Sequence, residues 1–316
     1  MTPARRSVSA PAFRWFAFAT FLGMILIVLS GTAVRLTGSG LGCPVWPTCF
    51  RGRILGSWGI HHAIEYGNRM ITALLIIITV VTFVAALMRV PRRRDLIALT
   101  GMLIASILVD AGIGAVVVYS KLNPWMVALH LLVSLAIVVV AAVLYHRSKY
   151  VYGPGARRDV RDPRFLRIAR LLWIPFAVLL ITGTATTGSS PQSGASIGQA
   201  VAPRMPFTLA DAAWVHSVAA VLFIGLVIGL LLSVWQTGAP RALQLGVRRL
   251  VVISLVQAAI GITQYLTHLP ALLVELHVAG AISLTIGVTQ FHLRQCAHDR
   301  EPGTEKASTK VMALGG

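Results

Sequence analysis

Two histidines stand in matching surroundings 147 residues apart. Leu108 to His130 aligns on Leu255 to His277 without a gap. The match pairs Leu108 with Leu255, Val109 with Val256, Gly114 with Gly261, Leu122 with Leu269, and Leu129-His130 with Leu276-His277. Each His follows a short turn, Lys121-Leu122-Asn123-Pro124 or Thr267-His268-Leu269-Pro270, and lies just inside an apolar segment. A third, His216, lies early in the segment before the second copy. Its nearest counterpart in the first half is Asn68, one residue off the gap-free offset. A duplicated chain with imidazoles at matching depths suits a metal, or a metal macrocycle, in each half.

The elements that must position these residues follow from composition. The chain has 316 residues, 56% hydrophobic and 12% charged, which marks a membrane protein. A bilayer core of about 30 Å needs about 20 apolar residues per helix. Eight such segments are predicted, over 13–34, 65–88, 96–119, 125–146, 168–188, 211–235, 249–267 and 271–293. Their apolar runs are continuous rather than alternating, so helices are predicted and not barrel strands. The first apolar core, Trp15 to Val34, is longer than the ~7–15 residues of a secretory signal, so it reads as a retained helix.

The net charge of +18 suggests nucleic acid, but its distribution does not. Of 28 Lys and Arg, 22 fall at Arg5 to Arg14, Arg89 to Arg94, Arg147 to Arg170, Arg241 to Arg249 and from Arg294 onward. That alternation fits the positive-inside rule, with both termini cytoplasmic and contact with anionic lipid. The expected organisation is a tail at 1–12, a four-helix half at 13–146, a basic cytoplasmic linker at 147–167, a second four-helix half at 168–293 and a tail at 294–316. Four helices return the chain to the same side, so the duplication is parallel, with an axis along the membrane normal. Two outer segments, 35–64 and 189–210, are long enough to cap a site, although ordinary loop variation would also give them.

Polar side chains inside a membrane are costly, and eight stand out: Glu65, Asn68, Arg69, Asp110, His130, His216, Glu275 and His277. Counting from the turns at 1.5 Å per residue puts His130 and His277 about 9–10 Å into their helices, with His216 and Asn68 at comparable depth. His216 and His277 come from the second and fourth helices of one half. Facing imidazoles at one depth suit bis-histidine ligation of a haem, the alternative being a hydrogen-bonded pair of core histidines. His130 has Asn68 opposite, a poor iron ligand. That half would hold a macrocycle through one histidine and leave its other face open, as a reacting centre requires. Glu65 shares a helix face with Asn68 and could act as a base or stabilise developing positive charge, or simply pair with Arg69. Arg35, Arg69 and Lys121 lie near the outer surface and could hold haem propionates, or snorkel to the interface. Asp110 matches Gln257 and reads as a hydrogen-bonding core residue; Glu275 has no assigned role. The other histidines lie at loops or ends.

Of three cysteines, Cys43 and Cys49 fall in the first outer loop, on the oxidising side, where a disulfide can persist. A zinc site there would need two more ligands, and His61 and His62, although near, do not give a standard zinc spacing. Cys296 falls on the reducing side and reads as a free thiol.

The run Arg35-Leu-Thr-Gly-Ser-Gly-Leu-Gly-Cys-Pro-Val-Trp-Pro-Thr-Cys49, followed by Glu65-Tyr-Gly-Asn-Arg69, Leu129-His130 and Leu276-His277, resembles the haem A synthase family across nearly all eight spans. The first-loop motif is specific; the Leu-His pairs are not. The resemblance implies oxidation of the C8 methyl of haem O to a formyl group, giving haem A for cytochrome oxidase. It implies a haem b on His216 and His277, haem O as substrate in the first half with Glu65 near the reacting centre, and a Cys43–Cys49 pair able to form a disulfide. It implies a multi-pass protein of a bacterial plasma membrane, with haem O synthase, cytochrome oxidase assembly and an electron donor as partners; a homo-oligomer is compatible with it. The family pattern commonly has Glu-x-x-His-Arg where this chain has Glu65-x-x-Asn68-Arg69. His130 is therefore expected to be the only protein ligand to the substrate iron. The competing readings are a b-type membrane cytochrome that only moves electrons, and a haem exporter or chaperone.

Overall fold

The structure is a computed structural model that describes residues 7–43, 45–49, 59–150, 159–160, 162–192, 194–195 and 202–297. Arg51, Arg53, Trp58, the linker residues Arg157, Arg158 and Arg161, Ser193 and the tail from His298 lie outside the described residues. The helices are α1 (Ala10–Leu36), α2 (Ile60–Met88), α3 (Arg94–Tyr119), α4 (Pro124–Arg147), α5 (Pro163–Leu171), α6 (Trp173–Ser189), α7 (Leu209–Gln236), α8 (Arg241–Leu266) and α9 (Ala271–Leu293). Taken with α5 and α6 as one span, these give eight segments long and apolar enough to cross a membrane. The protein is an all-α polytopic membrane protein, with outward side chains such as Leu74, Ile77 and Val221 exposed as a lipid-facing surface requires.

The eight predicted spans are all present, and several start earlier than the apolar runs, the second at Ile60 and the fifth at Pro163. The fifth is broken at Leu172 into α5 and α6. Pro175 has no amide hydrogen, and its ring crowds the carbonyl four residues earlier, at Leu171, where α5 stops. The seventh begins at Arg241, eight residues before the apolar run, because its first three turns carry Arg241, Arg248 and Arg249 yet continue the helix beyond the apolar core. Between β1 (Asp159–Val160) and β2 (Cys296–Ala297) a two-residue antiparallel pairing joins the linker to the segment after α9.

Helices α1 to α4 pack as a ring, each against the next, with α4 closing on α1. In the second set α6, α7, α8 and α9 pack in succession, and α5 closes on α9. The sets meet through α4 on α9, α4 on α6 and α1 on α9. Exchanging α1 with α6 and α4 with α9 leaves that set of contacts unchanged, as a two-fold relation demands.

The repeat extends to backbone detail. Lys121 and Leu122 lie in the left-handed region at φ 54° and 62°, and His268 and Leu269 at 63° and 62°. Leu122 N–H donates to Val117 O (2.8 Å) and Leu269 N–H to Gln264 O (2.7 Å), the same bond displaced by the repeat. Two consecutive left-handed non-glycine residues are uncommon, so their recurrence marks one turn design used twice.

Both cores lie at the basic end. In the first set Phe13, Ala17, Leu96, Leu103, Val138 and Leu144 are fully buried. Phe176, Phe223, Val227, Val247, Leu250 and Val288 fill the second. Two basic residues there do more than mark orientation. Arg93 pairs with Asp95 (2.8 Å) and donates to Tyr150 O (2.9 Å), fastening the start of α3 to the end of α4, while Arg89 is buried and donates to Pro91 O (2.6 Å). The opposite, loop end of each set is where the polar residues collect.

Candidate functional site

At the loop end, helix starts set the depth of each functional side chain. Asn123 caps α4 by accepting from Trp125 N–H, and Thr208 caps α7 by accepting from Asp211 N–H (3.1 Å). His130, His277 and His216 then follow seven, seven and eight residues after Asn123, Pro270 and Thr208. All three rings therefore lie about 10–12 Å along their helices.

A cavity of about 510 Å³ opens inside the α1–α4 ring. This is within the range of small-molecule and cofactor sites, about 300–1,000 Å³. Its wall brings together Glu65, Asn68, Arg69, Asp110, His130 and Arg35 among apolar side chains such as Met24, Val28, Leu75, Ile107 and Leu131. Helices α2 and α4 lie diagonally across the ring, so Asn68 and His130 approach from opposite sides. His130 is 40% exposed, accessible to a ligand. Its Nδ1–H donates to Asp110 Oδ1 (2.7 Å), and Ser134 Oγ–H donates to the other oxygen (2.6 Å). With Nδ1 so engaged, the lone pair on Nε2 is left for a metal. Asn68 accepts from Ser30 Oγ–H (2.7 Å) through Oδ1, and its amide nitrogen has no partner among the described residues.

The first-loop disulfide, Cys43–Cys49, ties the ends of a lid whose Trp46 and Pro47 line the cavity. Cys43 N–H donates to Glu65 Oε2 (2.6 Å), and Arg69 Nη2 pairs with Glu65 Oε1 (2.5 Å). Arg69 Nη1 donates to Val45 O (2.6 Å) and Thr48 O (2.8 Å). Glu65 and Arg69, one turn apart on α2, thus clasp the loop. The approach demands glycine at 42, where a Cβ would lie 2.5 Å from the His61 carbonyl oxygen. His61 Nδ1 meets Ser39 Oγ (3.0 Å).

The segment after α6 covers the same cavity from the other set. Arg35 Nε donates to Gln192 O (2.9 Å) and Nη2 to Thr187 O (2.7 Å), while Gln192 Nε2–H donates to Leu269 O (2.9 Å). Gly40 N–H donates to Gly194 O (2.9 Å), and Leu122 packs against both glycines. Arg35 and Arg69 line the cavity as expected of anion partners, yet each also braces a loop. Lys121 is exposed in its turn and does not reach the cavity wall.

In the second set His216 and His277 face each other, ring centroids 6.3 Å apart and planes at 81°. Two metal–nitrogen bonds of about 2.0 Å plus about 1.2 Å from each nitrogen to its ring centre give about 6.4 Å for histidines on opposite faces of one iron. The ring separation matches that span. Thr182 Oγ–H donates to Val178 O (2.9 Å), which leaves its oxygen to accept from His216 Nδ1–H (3.1 Å) and frees Nε2. Small residues make room: a Cβ at Gly183 or Gly261 would come within 3.1 Å of the His216 or His277 Cε1, and at Gly114 within 3.4 Å of the His130 Cε1. Among the described residues no three His, Cys, Asp or Glu cluster as a site for a bare ion. A macrocycle that brings its own four nitrogens needs no such cluster.

Asp110 as the His130 partner, and Ser30 and Thr182 as fixers of Asn68 and His216, were not assigned from sequence. Only the Asp110–Gln257 match within the repeat pointed toward one of them. The 189–210 segment, by contrast, reads from sequence as long enough to cap a site, and Ser190, Gln192 and Gly194 of it line the first cavity. Glu275 Oε2 is buried without a hydrogen-bond partner among the described residues, and no contact assigns it a function.

Two four-helix sets with histidines aimed inward from their loop ends define a polytopic membrane protein of the haem-handling kind. The chain belongs to the COX15-CtaA family, described as cytochrome oxidase assembly protein, which matches residues 14–57 and 60–288. It is 22% identical over 295 residues to a haem A synthase of Staphylococcus saprophyticus, covering 89% of this chain and 94% of that protein. Shorter matches reach 33% over 132 residues with haem A synthase of Lysinibacillus sphaericus, 42% of each chain, and 34% over 120 residues with that of Geobacillus thermodenitrificans, 37% of each.

Proposed function

We propose that this chain is a haem A synthase, which takes haem O as substrate and oxidises its C8 methyl group to a formyl group. Each of two hydroxylations at the methyl carbon takes one oxygen atom from dioxygen and, with two electrons from an external donor and two protons, releases the other as water; the resulting geminal diol loses water to give the aldehyde. The observation that carries the reading is the contrast between the two sets: an open cavity holding His130, Asn68 and Glu65, and a closed His216–His277 pair.

In this reading His130 binds the substrate iron through Nε2, and Asn68 leaves the opposite face free for water or another exogenous ligand. Glu65, held at the cavity wall, stabilises positive charge developing at the oxidised carbon and accepts its proton. Arg35 and Arg69 meet the propionates at the loop end. His216 and His277 hold a haem b, which when bound supplies a route for electrons. The disulfide lid and the roof formed by Thr187, Ser190, Gln192 and Gly194 cover the loop end of the cavity. The chain lies in a bacterial plasma membrane with both termini cytoplasmic, and its product goes to cytochrome oxidase assembly.

The test is expression with a haem O synthase, then extraction and identification of the haems. Haem A is expected, and Glu65→Ala and His130→Ala abolish it. Bound haem O with reductant supplied and no haem A would overturn the assignment.

A further inference from the structure

We propose that Asp110 sets the electron-donating strength of His130 toward iron, and that this carboxylate adds a further chemical difference between the two sites. The proposal rests on the reading of His130 as an iron ligand.

Asp110 is buried on α3, 8% exposed, and both its oxygens are committed. One accepts from His130 Nδ1–H at 2.7 Å and the other from Ser134 Oγ–H at 2.6 Å. Ser134 lies one turn beyond His130 on α4, so the same helix that carries the ligand also fixes the orientation of the carboxylate. An anionic acceptor on Nδ1 gives the imidazole partial imidazolate character and makes Nε2 a stronger donor.

The repeat supplies the contrast. Gln257 stands where the first copy has Asp110, but it does not reach the imidazole. Its Nε2–H donates to the main-chain carbonyl of His277 (2.8 Å), and both Gln257 Oε1 and His277 Nδ1 are buried with no partner among the described residues. The longer side chain runs past the ring into space left by Gly280, where a Cβ would overlap Gln257 Oε1. In the first copy Val133 occupies that register, and the shorter Asp turns onto the ring. Iron held by His130 is therefore under an anionic push that iron held by His277 is not. That push stabilises the ferric and more oxidised states, as suits a centre that reacts rather than one that relays electrons.

The test uses full-length protein in detergent, loaded with protohaem and reduced. The resonance Raman iron–histidine stretch arises from iron carrying a single histidine, so the His216–His277 pair is silent in it. Asp110→Asn is expected to lower that frequency and shift the ferric–ferrous equilibrium of this site toward ferrous about tenfold, which is 59 mV for one electron. Ser134→Ala frees the carboxylate to bond His130 more strongly, so it is expected to shift both readouts the opposite way and gives a second test should Asp110→Asn not fold. Unchanged frequency and equilibrium in whichever of these variants retains haem would overturn the proposal, as would shifts of the same sign in both. Persistence of the band in His130→Ala would instead show that the ligand assignment itself is wrong.

Discussion

Arg69→Met should open the disulfide lid. Arg69 anchors the Cys43–Cys49 loop through Val45 O at 2.6 Å and Thr48 O at 2.8 Å, with a longer, exposed contact to Pro47 O at 3.3 Å that adds little. A hydrogen bond from a charged group is worth about 1.5–3 kcal/mol, least where water competes. The Val45 bond is partly buried and the Thr48 bond exposed. Taking the low end for the first and about a third of that for the second, the lid loses about 2 kcal/mol of closing free energy. At 1.4 kcal/mol per factor of ten, the open population rises about 30-fold. The assay is the rate at which a water-soluble phosphine reduces the disulfide, followed by alkylation and mass spectrometry, with circular dichroism as a check on folding. Glu65→Gln is the control. It keeps the Arg69–carbonyl bonds and leaves an amide oxygen for Cys43 N–H, so a change of only a few-fold is expected. A reduction rate for Arg69→Met within twofold of the parent would refute the clasp, because the loop would then be held by something other than Arg69.

Three further outcomes are expected. His216→Ala and His277→Ala each remove the low-spin, two-histidine absorption and electron paramagnetic resonance signature, while His130→Ala leaves it; the same spectrum surviving in His277→Ala would contradict ligation by that pair. Gly261→Val forces side-chain carbons into the 3.1 Å gap beside His277, an overpacking of about 1–3 kcal/mol, and should cut haem retention about five- to 150-fold by pyridine haemochrome assay. Lys121→Gly relieves an exposed left-handed residue and should raise stability by about 0.5–1 kcal/mol in an SDS unfolding titration, a lower midpoint counting against strain at that turn.

Much of this molecule could be read from its residues because the bilayer leaves few options. Eight apolar runs must be helices, and the 147-residue offset carried His130 and His277 to equivalent depths. The break at Leu172 was less visible, since Pro175 sits within an apolar run that hydropathy alone reads as continuous. The His130–Asp110 bond joins neighbouring helices across a turn, and the choice of Asp110 Oδ1 as partner depends on side-chain length against Val133 and Gly280, which no periodicity encodes. That the 189–210 segment reaches over the first cavity was hidden for a related reason. Arg35 meets residues more than 150 positions away, and nothing local to Thr187 or Gln192 announces that their carbonyls are wanted there.

The contacts of α4 with α9, and the exchange of α1–α9 with α4–α6, are those of a symmetric dimer whose two subunits have become one chain. In a true homodimer every substitution appears twice, so a change that opens one site must open the other. Covalent linkage lifts that restriction. Asn68 and Asp110 could arise on one side of the seam while His216 and Gln257 stayed on the other, so a division of labour became available to a scaffold that began with two identical rooms.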